Sequence, residues 1–446
     1  MAERSYVVQG GVPLHGTVRV SGGKNAATKL IVASLLSSES VHLSNIPRIG
    51  DVDITLKMVE SLGTSVTWSG EHSVHLLTKQ VENAHVSETF SGRNRVPILL
   101  VGPLLARLGH AEVPLLGGDD VGKRPVDFHI AGYRALGAEV VEKGNILVFT
   151  LTQKKLRGTV ITLPFPSVMA TESLLLGSVF AEGTTVLKNA AVEPEILDLI
   201  DLLQKMGAII SHETDRTYII EGVSPIIKGF SSWLQGAEHA VIPDRNEAVS
   251  FAAAAIATKG SIFIEGAQQA DLRTFLNALR KIGAGFEVRE NGIRFSHTNP
   301  LKSLAFETGV HPGFMTDWQP PFTILLTQAE GTSVVHDTVH ERRLDYAETL
   351  QQMGANMDLF PRCLGGRECR FRDRDFPHSA VVRGPTPLTA HDMEVPDLRA
   401  GFSYLIAALI AEGTSRVRGV EKIERGYENL VEKLRGLGAD IIVEEG

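Results

Sequence analysis

Six stretches of the chain are almost wholly apolar and long enough for buried helices: residues 26–36, 96–108, 168–181, 248–258, 322–329 and 400–411. In each, the polar residues gather at the start. Lys24 and Asn25 precede the first, Arg95 the second, Ser167 the third, Asp244 and Arg245 the fourth, Asp317 the fifth, and Asp397 and Arg399 the sixth. A helix that is apolar all round is buried, so its polar N-terminal end points at something. A second, more polar helix follows in each case and ends on a recurring tripeptide, with glycines at Gly63, Gly137, Gly207, Gly283, Gly354 and Gly438. The pattern predicts a helix stop at each glycine and then a strand, as in residues 439–443.

A second mark, where the apolar helix stops and a short strand begins, falls at Gly183, Gly331, Gly413 and Gly260, and less regularly at Gly109 and Ser40. The repeating unit is therefore strand, helix, strand, helix, strand, present six times at a period longer than that of ordinary solenoids. Strands separated by helices form crossover units, which predicts α/β sheets wrapped with helices. A chain of 446 residues exceeds one ordinary core, and six units divide naturally into two domains of three.

The helix starts carry the candidate chemistry. Ser167, Asp317 and Asp397 are ordinary capping types, and helix capping alone accounts for each taken singly. Lys24, Arg95 and Arg399 differ, because a cation at a helix N-terminus opposes the macrodipole unless an anion sits there. Three such placements suggest a shared anion site. Charged loops recur in phase with them. The richest, residues 117–125, holds Asp119, Asp120, Lys123, Arg124 and Pro125 among three glycines; the others hold Glu193 and Glu195, Glu341 to Arg343, and Glu424 with Arg425. Solvated loop charge is the plain alternative for any one of them.

Net charge of -8 argues against a general nucleic-acid or membrane-surface binder, so any anion site must be concentrated. Arginine forks at Arg95, Arg124, Arg343, Arg399 and Arg425, with Lys24, suit a small substrate bearing phosphate or carboxylate. Asp119, Asp317 and Asp397 among those cations suit acid and base work or hydroxyl binding. Gly22-Gly23-Lys24 lacks the spacing of a nucleotide-binding P-loop, and Asn25 stands where that motif needs a hydroxyl. The two cysteines, Cys363 and Cys369, have no Cys or His close by at zinc-ligand spacing and read as loop thiols, so no metal site is expected. The first ten residues lack a secretory pattern and no apolar run is long enough to span a bilayer, so a cytoplasmic location is expected.

Five segments carry a family resemblance: residues 20–27 (Val-Ser-Gly-Gly-Lys-Asn-Ala-Ala), the loop Gly117-Gly118 with Gly122 to Asp127, residues 189–195, residues 396–400 around Asp397 and Arg399, and residues 425–428. In order along the chain they resemble the UDP-N-acetylglucosamine enolpyruvyl transferases, from about Val7 to Glu445. The resemblance implies two inside-out α/β barrel domains of three βαβαβ-type units each, with the active site in the interdomain cleft. One domain would be discontinuous, residues 1–22 with 242–446, and the other, 23–241, inserted. The implied reaction adds the sugar 3-hydroxyl to C2 of phosphoenolpyruvate, protonates C3 and expels phosphate, with no cofactor. It is the first committed step of peptidoglycan precursor synthesis.

By the same resemblance Lys24, Arg95, Arg124, Arg399 and Arg425 serve the phosphate and carboxylate of phosphoenolpyruvate or closure. Asn25, Asp317, Arg343 and Asp397 orient the sugar and reacting centre, with Asp317 as base. Pro125, Val126, Asp127, Ser167 and Val339 fall among the substrate-binding positions. Asp119 stands where many members carry a proton-donating cysteine, which implies insensitivity to fosfomycin. The segment around Ser167 departs from the family at Phe165 and Met169, where lysine and glycine are usual and uridine diphosphate is held. The same fold would serve a different acceptor, another uridine nucleotide or shikimate 3-phosphate, or a silent nucleotide-sugar sensor. Ser21 to Asn25 does not read as the Pro-Gly-Ser-Lys-Ser of shikimate enzymes, and Lys24, Asp119, Asp317 and Arg399 together argue against a sensor.

Overall fold

The structure is a computed structural model that describes residues 4–114, 116, 125–223, 234–298, 300–367 and 369–446. Its described residues divide into two compact units, one within residues 4–21 and 243–446 and one within residues 22–116 and 125–242. Each has its own apolar core.

The six glycines that the sequence marks as helix stops all have φ between 81° and 105°. That left-handed conformation is cheap only without a Cβ, which explains why glycine recurs there. Upstream, Gly109, Gly183, Gly331 and Gly413 also have positive φ, while in the fourth repeat Lys259 rather than Gly260 takes it, at 59°.

Around these stops the chain builds small sheets of one plan. Val160–Thr162 pairs parallel with Thr184–Lys188, which pairs antiparallel with Thr217–Glu221, and that strand pairs antiparallel with Ile209–Glu213. The same order recurs in four other sheets. In the remaining one the strands are His110–Pro114, Ile146–Leu151 and Ala138–Lys143, and the parallel neighbour shrinks to a bridge between His85 and Glu112. The repeat is thus one strand longer than the sequence pattern indicates, because its last strand is a hairpin. The period-two signal of each arm is short and the turn joining the arms is only a few residues.

Both chain crossings follow from this plan. His15–Arg19 pairs parallel with Ser261–Glu265, far along the sequence, while Glu238–Ala240 pairs parallel with Val41–Ser44. The N-terminal strand Arg4–Gln9 lies between Thr414–Arg418 and Asp440–Glu445 and completes the last repeat.

The apolar helices lie inside and the sheets outside. In the first unit Arg245–Ala257, Gln319–Thr327 and Leu398–Ile410 pack against one another, and every residue of the first two is buried. In the second unit Val101–Leu108 packs on Val168–Ser178, and the turn Val96–Leu100 packs on Lys24–Ala33. No closed barrel forms among the described strands; the sheets are separate plates around each helix set.

Candidate active site

In the second unit the first central helix begins at Lys24. Gly22 has no room for a side chain, since a Cβ there would lie 1.8 Å from the Asn45 carbonyl oxygen, and Gly23 N–H donates to the Ile242 carbonyl at 2.8 Å. The turn thus sets Lys24 and the half-buried Asn25 on the opening turn without a side-chain cap. The Lys24 ammonium reaches Asp51 Oδ2 at 3.0 Å, and Asp51 is only 4% exposed. Sequence reasoning missed this partner. Asp51 lies in the first turn of helix Gly50–Glu60, after the short strand Val41–Ser44, in phase with the charged loops of the other repeats, so the repeat itself held the signal.

Behind Lys24 lies a buried charge network. Lys29 Nζ is 3.9 Å from Glu172 Oε2, and burial outweighs that attraction, pushing the Glu172 carboxyl up to about 8 and the Lys29 ammonium down. Glu193 and Glu195, candidate loop charges, are buried and act on this pair. They are not solvated loop charge.

Arg95 precedes the turn Val96–Leu100 and acts on His129, whose imidazole burial holds down to about 4, with the Arg95 charge adding to the effect. His129 belongs to Asp127–Ala135, the helix that Val126 precedes; Asp127 and Pro125 are exposed. Ser167 caps Val168–Ser178 by accepting from Ala170 N–H at 3.4 Å, and its own N–H donates to the Phe165 carbonyl at 2.7 Å. Met169 and Phe165 are both half-buried. Asp119 and Arg124 lie outside the described residues.

In the first unit the cluster centres on Arg343, only 4% exposed. Its Nη2 donates to Asp317 Oδ1 at 3.0 Å, its Nε donates to Thr316 Oγ1 at 3.1 Å, and its Nη1 lies 3.6 Å from Asp397 Oδ1. Asp397 also caps its helix, accepting from Ala400 N–H at 3.2 Å. Thr316 donates to Asp337 Oδ2 at 2.8 Å, and Asp337 Oδ1 accepts from Val339 N–H at 2.9 Å and His340 N–H at 2.8 Å. Asp337 therefore frames both the Asp317 turn and the loop leading to Arg343, a role that sequence reasoning did not find. Arg399 lies on Leu398–Ile410, its side chain outside the described residues, and Arg425 follows Glu421–Glu424. A further buried set at the chain crossing joins Lys433 Nζ to Glu247 Oε1 at 2.6 Å and to Ser21 Oγ at 2.8 Å.

The cysteines need a correction. Cys363 and Cys369 are not isolated loop thiols: one ligand atom each from Cys363, Cys369, His378 and His336 lies within 4.8 Å of all the others. His336 comes from the strand Gly331–His336, too far upstream for any short spacing to reveal.

Comparison with known proteins agrees with this architecture. The chain matches the EPSP synthase (3-phosphoshikimate 1-carboxyvinyltransferase) family over residues 8–434. It is 49% identical to a UDP-N-acetylglucosamine 1-carboxyvinyltransferase of Protochlamydia amoebophila, covering 98% of this chain and 94% of that protein. It is 50% identical to one of Chlamydia abortus, covering 97% of each. Its fold is that of the enolpyruvyl transferase NikO from Streptomyces tendae, with a TM-score of 0.87 at 23% identity over 100% of both chains. It is also that of EPSP synthase from Acinetobacter baumannii, with a TM-score of 0.76 at 19% identity over 99% of this chain and 100% of that one. No described helix is long and apolar enough to cross a membrane. With a matching repeat architecture and near-half identity along almost its whole length, the chain belongs to the UDP-N-acetylglucosamine 1-carboxyvinyltransferases, within the EPSP synthase family of enolpyruvyl transferases.

Proposed function

We propose that this transferase moves the enolpyruvyl group of phosphoenolpyruvate to the 3-hydroxyl of UDP-N-acetylglucosamine in the cytoplasm, as the first committed step of peptidoglycan precursor synthesis. The observation that carries the reading is the near-half identity, over 98% of the chain, to proteins named for that activity. Lys24, Arg95, Arg124, Arg399 and Arg425 hold the phosphate and carboxylate of phosphoenolpyruvate, which gives cations at helix starts a purpose that the dipole alone denies them. Asp317 takes the proton of the sugar hydroxyl as its oxygen bonds to C2, and Asp119 gives a proton to C3. Phosphate then leaves the tetrahedral intermediate while C3 loses a proton, restoring the double bond.

The geometry favours Asp317 as base for a specific reason. Arg343 is locked by Thr316 and both aspartates, so it holds the Asp317 carboxylate in one orientation, and a fixed base spends little entropy in reaching its proton. Asp397, Asn25 and the segments around Val126 and Val339 orient the acceptor, and Phe165 and Met169 stand where the family usually carries lysine and glycine. Phosphate release with phosphoenolpyruvate and UDP-N-acetylglucosamine tests the reading. Release with shikimate 3-phosphate only, or no release with any acceptor, would reject the assignment.

A further inference from the structure

We infer that Cys363, Cys369, His378 and His336 form a tetrahedral zinc site that staples the loop of residues 361–378 to the end of the strand Gly331–His336. The four donor atoms already lie within 4.8 Å of one another. With Zn–S near 2.3 Å and Zn–N near 2.0 Å, tetrahedral ligands sit about 3.3 to 3.8 Å apart. Cys363 Sγ and His378 Nε2, at 3.4 Å, already match such an edge. The remaining donors need shifts of roughly 1 Å or less, within the reach of side-chain torsions.

The His378 imidazole is set in the required tautomer. His378 Nδ1 lies 3.1 Å from the Phe376 carbonyl, which only accepts, so Nδ1 carries the hydrogen and Nε2 presents its lone pair to Cys363. His336 Nδ1 pairs with Ser379 Oγ at 2.7 Å, and that hydroxyl also accepts from Leu364 N–H at 3.2 Å. His336 Nε2 is buried with no hydrogen-bond partner among the described residues. A buried polar nitrogen left so is destabilising, and a metal bond removes that cost. The second-neighbour bonds to a carbonyl and a hydroxyl are the kind that orient ligating histidines.

The surroundings suit a closed structural site. His336 and His378 are fully buried, Cys369 nearly so, and Phe371 and Phe376 pack on His378. Burial pushes the Cys369 thiol up to about 11, and the Phe371 N–H, which donates to its Sγ at 3.4 Å, opposes that. Gly365 lies so close that a Cβ would meet His336 Cδ2 at 2.6 Å, so the turn after Cys363 approaches the ring only as glycine. Two thiolates and two imidazoles select zinc over calcium or magnesium, which take oxygen ligands. The site also bears on the Arg343 cluster, because Asp337, next to His336, donates its N–H to the His378 carbonyl at 2.8 Å.

The test is metal analysis of the full chain after exposure to zinc and exhaustive dialysis, with X-ray absorption of the bound zinc. About one equivalent per chain, in a shell of two sulfur and two nitrogen ligands, is expected. Cobalt(II) in its place should give the intense visible bands of a tetrahedral thiolate site. Cys363→Ser with Cys369→Ser should abolish binding and lower the thermal midpoint. Should that variant fail to fold, the absorption experiment on the parent chain stands alone. No retained zinc, a shell without sulfur, zinc retained by the double variant, or a Cys363 to Cys369 disulfide in the parent would each overturn the inference.

Discussion

Replacing Arg343 with alanine is the most direct test of the first unit's cluster. The guanidinium is 4% exposed and faces Asp317 at 3.0 Å and Asp397 at 3.6 Å, whose side chains are 18% and 10% exposed. Its removal takes the facing cation from two carboxylates and leaves Thr316 without the Arg343 donor. Breaking a buried pair from one side costs about 3–5 kcal/mol, and the partial exposure of Asp317 places the expected loss near the lower end. Lysine keeps the charge but not the fork, losing the bond to Thr316, so Arg343→Lys should lose about 1–2 kcal/mol. Trp318, buried beside the cluster, reports on it by fluorescence once Trp68 and Trp233 are replaced by phenylalanine. A chain of two units need not unfold in one step, so the midpoint of the Trp318 transition in urea is the quantity to compare. Activity should fall with stability but further, because Asp317 loses its fixed orientation: kcat/KM should drop at least ~10²-fold under conditions where the variant is folded. An Arg343→Ala midpoint equal to the parent's, with unchanged turnover, would refute the claim that this fork positions the base.

Three other expectations follow from the second unit and from Asp119. Lys24→Ala should abolish turnover and also lose about 1–3 kcal/mol by removing the cation that faces buried Asp51; adding Asp51→Asn should restore stability but not turnover, and recovery of both would reduce Lys24 to a structural role. The parent should resist fosfomycin because a carboxylate is a poor nucleophile; Asp119→Cys should gain time-dependent inactivation and Asp119→Asn should lose turnover, and rapid covalent inactivation of the parent would remove the role given to Asp119. Burial, with Arg95, holds His129 down to about 4. Below its unfolded value near 6.5 the unfolded chain takes up a proton that the folded chain refuses, so stability is lost as pH falls from there towards 4, by about 3 kcal/mol in all. His129→Phe should flatten that limb of urea midpoint against pH; an equal slope in the variant would show that other groups titrate there.

The fold was legible because it is written six times. A single Gly63 or Gly207 is a weak helix stop, but six at nearly even spacing identify a repeat, and each has the positive φ that only glycine takes cheaply. Helix positions were read to within a few residues for the same reason, since long apolar runs leave little choice of burial. The extra strand of each repeat was not legible. Arms such as Gly285–Arg289 and Gly292–Ser296 are too short, and too polar on the outer face, for alternation to separate them from loop.

The site was legible where charge contradicts a local preference and illegible where it obeys one. Lys24 and Arg95 stand out because a cation opposes the dipole at a helix start, and nothing local explains them. Asp51 and Asp337 do the opposite: Asp51 sits in a helix's first turn, where a carboxylate is welcome, and Asp337 accepts amides of the turn that follows it, so each looks ordinary until its second partner is seen. That second partner, Lys24 for one and Thr316 for the other, comes from another element, and no local spacing rule reaches it. The Cys and His cluster extends the point. Cys363, Cys369 and His378 share one loop, but the fourth donor, His336, belongs to a strand, and only the antiparallel pairing of His336 with Ser379 brings the two ends together. A sheet register, not a motif, assembles those four atoms, so the grouping becomes visible at the level of tertiary structure and no lower.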